Sequence, residues 1–291
     1  MFQSIANLFP TEKMAGSKIL SGLWRTIFYL LKPTKPFVMR LPYYRARVFP
    51  KKGTLTRVLV RRGCWEKELT DAFAAMVRPG GFVVDVGANF GNYALTASGR
   101  MKGDGLVLAF EPHPGTFDLL KQNIALQENP TIVAEQMALG AEESEMDLVA
   151  DDENPGGHSF HADHLRRAGA RSRVRVAALD DYLREYDIVA RPDLVKVDAE
   201  GFDFKVLCGA RHTIARDLPV VFCEIFPKGL VESGDSYRDI LEFFQELGYG
   251  VKVFDRSSRL IVDTTFEEAD SLLGAIHDEA FYDMIFIPKK P

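Results

Sequence analysis

The sequence lacks three features that would fix its class at once. It has no cysteines at metal-ligand spacing, no apolar run long enough to cross a bilayer, and no excess of positive charge. Cys64, Cys208 and Cys223 are its only cysteines. An odd count without a C-x-x-C pair argues against a disulfide framework and a structural zinc, and fits a reducing compartment, so a cytoplasmic location is expected. A membrane span needs about 18 or more consecutive apolar residues. The nearest candidate, LWRTIFYLL at 23–31, is short and broken by Arg25, and no small-residue cleavage site precedes PTKPF. It reads as an amphipathic helix docked on the body, with a membrane surface or a partner as the alternative occupant of its apolar face. The net charge is −5. Neutralising phosphates needs a basic face, so no nucleic-acid partner is expected. Five arginines within 166–175 read as solvated surface, with an anionic substrate group as the sharper alternative.

What is present suits an ordinary globular chain, with 46% hydrophobic residues. Pro33, Pro36, Pro42 and Pro50 punctuate the first fifty residues, where long helices cannot run. Residues 1–53 are therefore read as an N-terminal extension and 54–291 as one domain. TLTRVLVRR, 54–62, alternates enough for one or two short strands. CWEKELTDAFAAMV, 64–77, carries Leu69, Phe73 and Met76 at helical spacing.

A strand–helix rhythm then begins. FVVDV reads as a fully buried strand. LVLAFE (106–111), TIVAEQMAL (131–139), LVKVD (194–198), LPVVFCEIF (218–226), GVKVFD and FYDMIFIPK read as the others, separated mostly by helices. This predicts an α/β, Rossmann-like fold: a seven-stranded, mostly parallel sheet, helices on both faces, and an antiparallel last strand. Residues 140–180 interrupt the rhythm as an insertion. MDLVA and RVRVAAL there suggest a hairpin around the polar DDENPGGHSFHADHLRRAGARS.

The first strand ends in D-V-G-A-N-F-G, Asp85 to Gly91. A glycine turn from strand to helix lets a ligand approach backbone, and open parallel sheets bind ligands at their carboxyl ends. Asp85, Glu111, Asp198 and Glu224 all fall at such ends. Glu111 is placed to hydrogen-bond ribose hydroxyls. The turn also lacks something: the middle glycine of G-x-G-x-x-G is replaced by Asn89. That disfavours a pyrophosphate and favours a nucleoside with an amino-acid tail, as in S-adenosylmethionine. A nicotinamide-dependent oxidoreductase is the first rival, weakened further because no Tyr-x-x-x-Lys pair occurs. A non-catalytic nucleoside-binding or partner protein is the second.

DVGANFGNYAL, AFEPHP, LVKVDAEGFDFKVLCGA and VVFCE together resemble the FkbM-type methyltransferases. The resemblance implies an S-adenosylmethionine-dependent enzyme that methylates a hydroxyl on a small molecule or sugar. It places Asp85, Gly87, Ala88, Asn89 and Gly91 in the cofactor loop and makes Glu111 the ribose acid. Pro112 and His113 are then set beside adenosine, Met137 and Ala138 at adenine, and Asp198 and Glu200 at the edge of the acceptor pocket. Ordered candidates for a proton-accepting base are Asp198, His158 and Glu224, with Ser159 and Glu200 on the substrate side. Helix capping competes as an explanation for Asp198 and Glu200, and pairing with Lys196 for Glu224. His158, His161 and His164 are spaced by three but lack an acidic-ligand pattern, so no metal is expected; a divalent ion held by strand-end acids is the minority alternative.

Overall fold

The computed structural model describes residues 18–31, 35–49, 53–151, 157–160, 168–275 and 280–289. Near the N-terminus, the helix Lys18–Leu31 seats Trp24 and Phe28 against a two-stranded antiparallel unit, β1 (Phe37–Arg40) and β2 (Arg45–Val48). Ile19, Leu23 and Leu30 remain exposed on its outer face. The segment 54–62 departs from expectation: Gly53–Arg62 is a helix, not strands. Leu55, Val58 and Leu59 recur at a spacing of three and four, and Leu59 is buried beside Trp24 and Leu41. The following helix, Lys67–Met76, buries Leu69 and Phe73 but leaves Met76 exposed.

The main sheet grows from β3 (Phe82–Val86), buried at all five positions. β4 (Leu106–Phe110) and β5 (Ile132–Glu135) extend it in parallel on one side. The expected strand 131–139 is split, because its end turns away as β6 (Ala138–Leu139). β6 joins β7 (Ser144–Asp151) and β8 (Ala168–Ala177) in a separate three-stranded sheet. On the other side of β3 lie β9 (Leu194–Val197) and β10 (Val220–Ile225), again parallel. β11 (Tyr249–Asp255) and β12 (Leu260–Thr264) follow, and β13 (Tyr282–Pro288) inserts antiparallel between β10 and β11. The order is β12-β11-β13-β10-β9-β3-β4-β5, so the Rossmann-like sheet has eight strands where seven were expected. The extra strand is an exposed edge, followed by the helix Phe266–Gly274 with Thr265 and Glu268 as a reciprocal cap.

Two apolar layers cover the sheet. Val84, Val86, Leu108, Phe110 and Val195 face one; Val83, Val107, Ala109, Phe222 and Ile285 face the other. The chain leaves β3 toward β4 on one side and returns at β9 on the other. β3 therefore marks the point where strand order reverses, and a crevice opens there at the carboxyl ends.

Candidate functional site

Gly87 shows why that crevice has its shape. Its φ is +74°, and a Cβ there would lie 1.8 Å from the Asp198 carbonyl oxygen. The turn after β3 and the turn after β9 thus touch through a hydrogen atom, and no larger residue fits. The glycine serves this backbone contact as much as any ligand.

The turn satisfies itself. The N–H groups of Gly87 and Ala88 both donate to the Phe110 carbonyl, and Gly91 N–H donates to the Ala88 carbonyl. Asn89 N–H donates to Glu111 Oε2 at 2.9 Å, while Asn89 Oδ1 accepts from Phe90 N–H. His113 N–H donates to Glu111 Oε1 at 2.8 Å. Glu111 is therefore clamped in place by two backbone donors, and each of its oxygens keeps lone-pair capacity for a ligand hydroxyl. Burial pushes its carboxyl up to about 7, against those two bonds.

A cavity of about 370 Å³ lies over the turn, a size within the small-molecule range. Gly87, Ala88, Asn89, Glu111, Pro112 and Ala138 line it, together with Asp198, Glu200, Glu224 and His158. Five other residues read from the sequence do not line it. Asp85 is buried beneath the turn, where Oδ2 accepts from Ala94 N–H at 2.7 Å; burial pushes it up to about 7. Gly91 begins the helix Asn92–Met101 at φ 100°. His113 caps the helix Pro114–Ile124, its Nδ1 accepting from Thr116 N–H. Met137 packs in the core with Phe110 and Ala177. Ser159 sits behind the cavity wall, its hydroxyl donating to the Glu200 carbonyl.

His158 lines the cavity without an available lone pair. Its Nδ1 accepts from Asp151 N–H at 3.0 Å, which assigns the proton to Nε2, 3.2 Å from Thr116 Oγ1. Its ring lies against that of His113, tilted by 34° with centroids 3.8 Å apart. Burial, with His113 adjoining, lowers its pKa to about 4, so it stays neutral. This arrangement corrects its place among the bases: it is a wall. His161 and His164 lie outside the described residues.

The acids on the far side have another character. Lys196 is buried; its Nζ lies 3.2 Å from Asp198 Oδ2 and 5.3 Å from the Tyr93 ring. Burial alone would lower its pKa, but Asp198, Asp283, Glu224 and Glu66 outweigh that and hold it high. The direct partner of Lys196 is Asp198, not Glu224. Burial and neighbouring carboxylates push Glu200 and Glu224 well above the usual range, and neither side chain has a hydrogen-bond donor among the described residues. Asp198, Glu200 and Glu224 each offer an oxygen within 4.8 Å of the others. Sequence reasoning missed Glu66, which lines the cavity and accepts from the Tyr93 hydroxyl at 2.8 Å. It follows a segment with no motif, so only its three-dimensional position reveals it.

Comparison with known proteins agrees with the motif reading. The model of the methyltransferase FkbM domain matches residues 85–251, more than half of the chain. The chain is 31% identical over 144 residues to Methyltransferase 1 of Beauveria bassiana, covering 44% of this chain and 57% of that protein. It is 28% identical over 162 residues to the hexuronic acid methyltransferase AglP of Haloferax volcanii, covering 56% and 60%. The chain thus spans less than two thirds of the length of these curated relatives. Among solved structures, a methyltransferase FkbM from Methylobacillus flagellatus aligns with TM-score 0.43 at 15% identity, covering 78% of this chain and 52% of that one. From the signature turn, the second acidic motif and the family match, this chain belongs to the FkbM methyltransferase family.

Proposed function

We propose that the protein is an S-adenosylmethionine-dependent O-methyltransferase acting on a hydroxyl of a sugar or other small molecule. The observation that carries this reading is the saturated turn. All five N–H groups from Gly87 to Gly91 have protein acceptors, so none is left to cradle a pyrophosphate. The turn instead presents the Glu111 carboxylate, which suits ribose hydroxyls, beside an acidic region that suits a cationic ligand. The donor set fits the nucleoside sulfonium and works against a dinucleotide.

In this reading Gly87, Ala88, Asn89, Glu111, Pro112 and Ala138 hold the cofactor, which supplies a methyl group already activated on a sulfonium. The protein supplies alignment and a place for the proton. Asp198 is the proposed base. Its Oδ2 is fixed by Lys196, leaving Oδ1 to accept the proton of the acceptor hydroxyl. Glu224 is the second candidate. That the acceptor is a sugar, whatever charged group it carries, draws support from the hexuronic acid named for the Haloferax relative.

Calorimetry with S-adenosylhomocysteine and with NAD tests the reading directly. Micromolar affinity for the first and none for the second is expected. The reverse result would overturn it.

A further inference from the structure

Resting on that methyl-transfer reading, we infer that Glu66 is the specificity-determining carboxylate of the acceptor side. The acceptor it selects carries a protonated amine beside the hydroxyl to be methylated, as an amino sugar or amino alcohol does, and not a carboxylate. Glu66 lies ahead of the matched family region at 85–251. It sits at the start of the helix Lys67–Met76 with φ 37° and ψ 53°, a left-handed conformation unusual for a side-chain-bearing residue. The Tyr93 hydroxyl holds Oε2 at 2.8 Å, and Oε1 has no donor among the described residues. Tyr93 is itself wedged edge-on against Phe73, with ring centroids 5.0 Å apart. The carboxylate is thus positioned by a packed aromatic ring while one oxygen stays available to a ligand.

The surroundings set the sign of that ligand. Six carboxylates line the cavity: Glu66, Glu111, Asp151, Asp198, Glu200 and Glu224. No Lys or Arg side chain is among the described lining residues. Lys196 lies behind the wall, tied to Asp198 and to the Val197 carbonyl. Burial, with Asp283 adding like charge, pushes Glu66 up to about 7, against the pull of Lys196; a bound cation would favour its charged form. A sulfonium cofactor would offset part of this excess. A carboxylate-bearing acceptor would meet like charge in a weakly screened space, whereas an ammonium would meet Glu66, Glu200 and Glu224, which have no ion-pair partner among the described residues. A divalent cation bridging Asp198, Glu200 and Glu224 is the competing occupant, and the test separates it.

The test uses the full chain saturated with S-adenosylhomocysteine, in EDTA and then in Mg²⁺. Three probes share the methyl glycoside ring and span three charges: methyl glucosaminide with an amine at C2, methyl glucoside with none, and methyl glucuronide with a carboxylate at C6. Calorimetry should show the glucosaminide binding about tenfold tighter than the glucoside, in EDTA as in Mg²⁺, and no binding of the glucuronide. That factor is the size of one hydrogen bond to a charged group. Glu66→Gln should abolish the amine preference while S-adenosylhomocysteine affinity holds within twofold, which reports a folded site. Tyr93→Phe should keep part of the preference. Equal or tighter glucuronide binding, no binding of the glucosaminide, a preference that survives Glu66→Gln, or one that appears only with Mg²⁺ would each overturn the inference. Failure to bind S-adenosylhomocysteine would instead remove the methyl-transfer reading, and this proposal with it.

Discussion

On the glycine-turn side of the cavity, every N–H from Gly87 to Gly91 already has an acceptor, and Glu111 is held by two of the surrounding backbone donors. On the opposite side, Glu66, Glu200 and Glu224 line the same cavity; the Tyr93 hydroxyl donates to Glu66, and among the described residues Lys196 forms its ion pair with Asp198. In the first region the backbone donors are already satisfied within the turn. In the second, Glu66, Glu200 and Glu224 have no ion-pair partner among the described residues. In the proposed reading, the first region serves the cofactor by shape and the second the acceptor by charge.

The strongest way to break the comparison is at the contact that joins the two regions. Gly87→Ala forces a Cβ to within 1.8 Å of the Asp198 carbonyl oxygen. S-adenosylhomocysteine binding should be lost in calorimetry, with stability lowered by roughly 1–3 kcal/mol for the left-handed strain alone. Retained binding would show that the turns move independently. Next in size is Asp198→Asn, which keeps the shape and removes the base. Turnover should fall by about 10²–10⁴-fold with S-adenosylhomocysteine affinity little changed. Unchanged turnover would remove Asp198 from the chemistry. Glu111→Gln should be milder, weakening S-adenosylhomocysteine about tenfold and altering turnover at saturation little.

The smallest effect is on stability. Burial pushes Glu66, Asp85 and Glu111 up to about 7. The folded chain therefore keeps protons that the unfolded chain releases in the ordinary carboxylate range, so stability falls as pH rises from that range to about 7 and then levels. His158, lowered to about 4, and His113, also lowered, work the other way, but the raised acids, which include Glu200, Asp203, Glu224 and Asp283, outnumber them. Tm should be a few degrees higher at pH 5.5 than at pH 8, and the gap should narrow in Glu111→Gln. A Tm that rises over this interval would contradict the burial of these acids.

The finished side was legible in the sequence because its chemistry is local. Seven consecutive residues, Asp85 to Gly91, spell the turn, and Glu111 ends the next strand. Even there, the reason for Gly87 was hidden, since the Asp198 carbonyl that excludes a side chain lies over a hundred residues away. The charged side was legible only in part. Asp198 and Glu224 stood at strand ends, but Glu66 depends on the approach of a helix that carries no motif. The fold class followed from the buried runs. The helix Gly53–Arg62 was misread because Val58 and Val60 mimic alternation, although Leu55 and Leu59 fit a helical face better. The eighth strand escaped because Leu260 and Val262 stay exposed at an edge, where burial imposes no pattern.

The Tyr44 hydroxyl donates to Asn92 Oδ1, and Asn92 Nδ2 donates to Thr70 Oγ1, while Phe90 and Leu95 pack among Trp24, Met39 and Leu59. The polypeptide ahead of the matched region is consequently the outer buttress of the glycine loop. Any shortened gene beginning near position 80 would yield a loop with its back wall stripped away, and the polypeptide should be expressed with the residues ahead of that position attached.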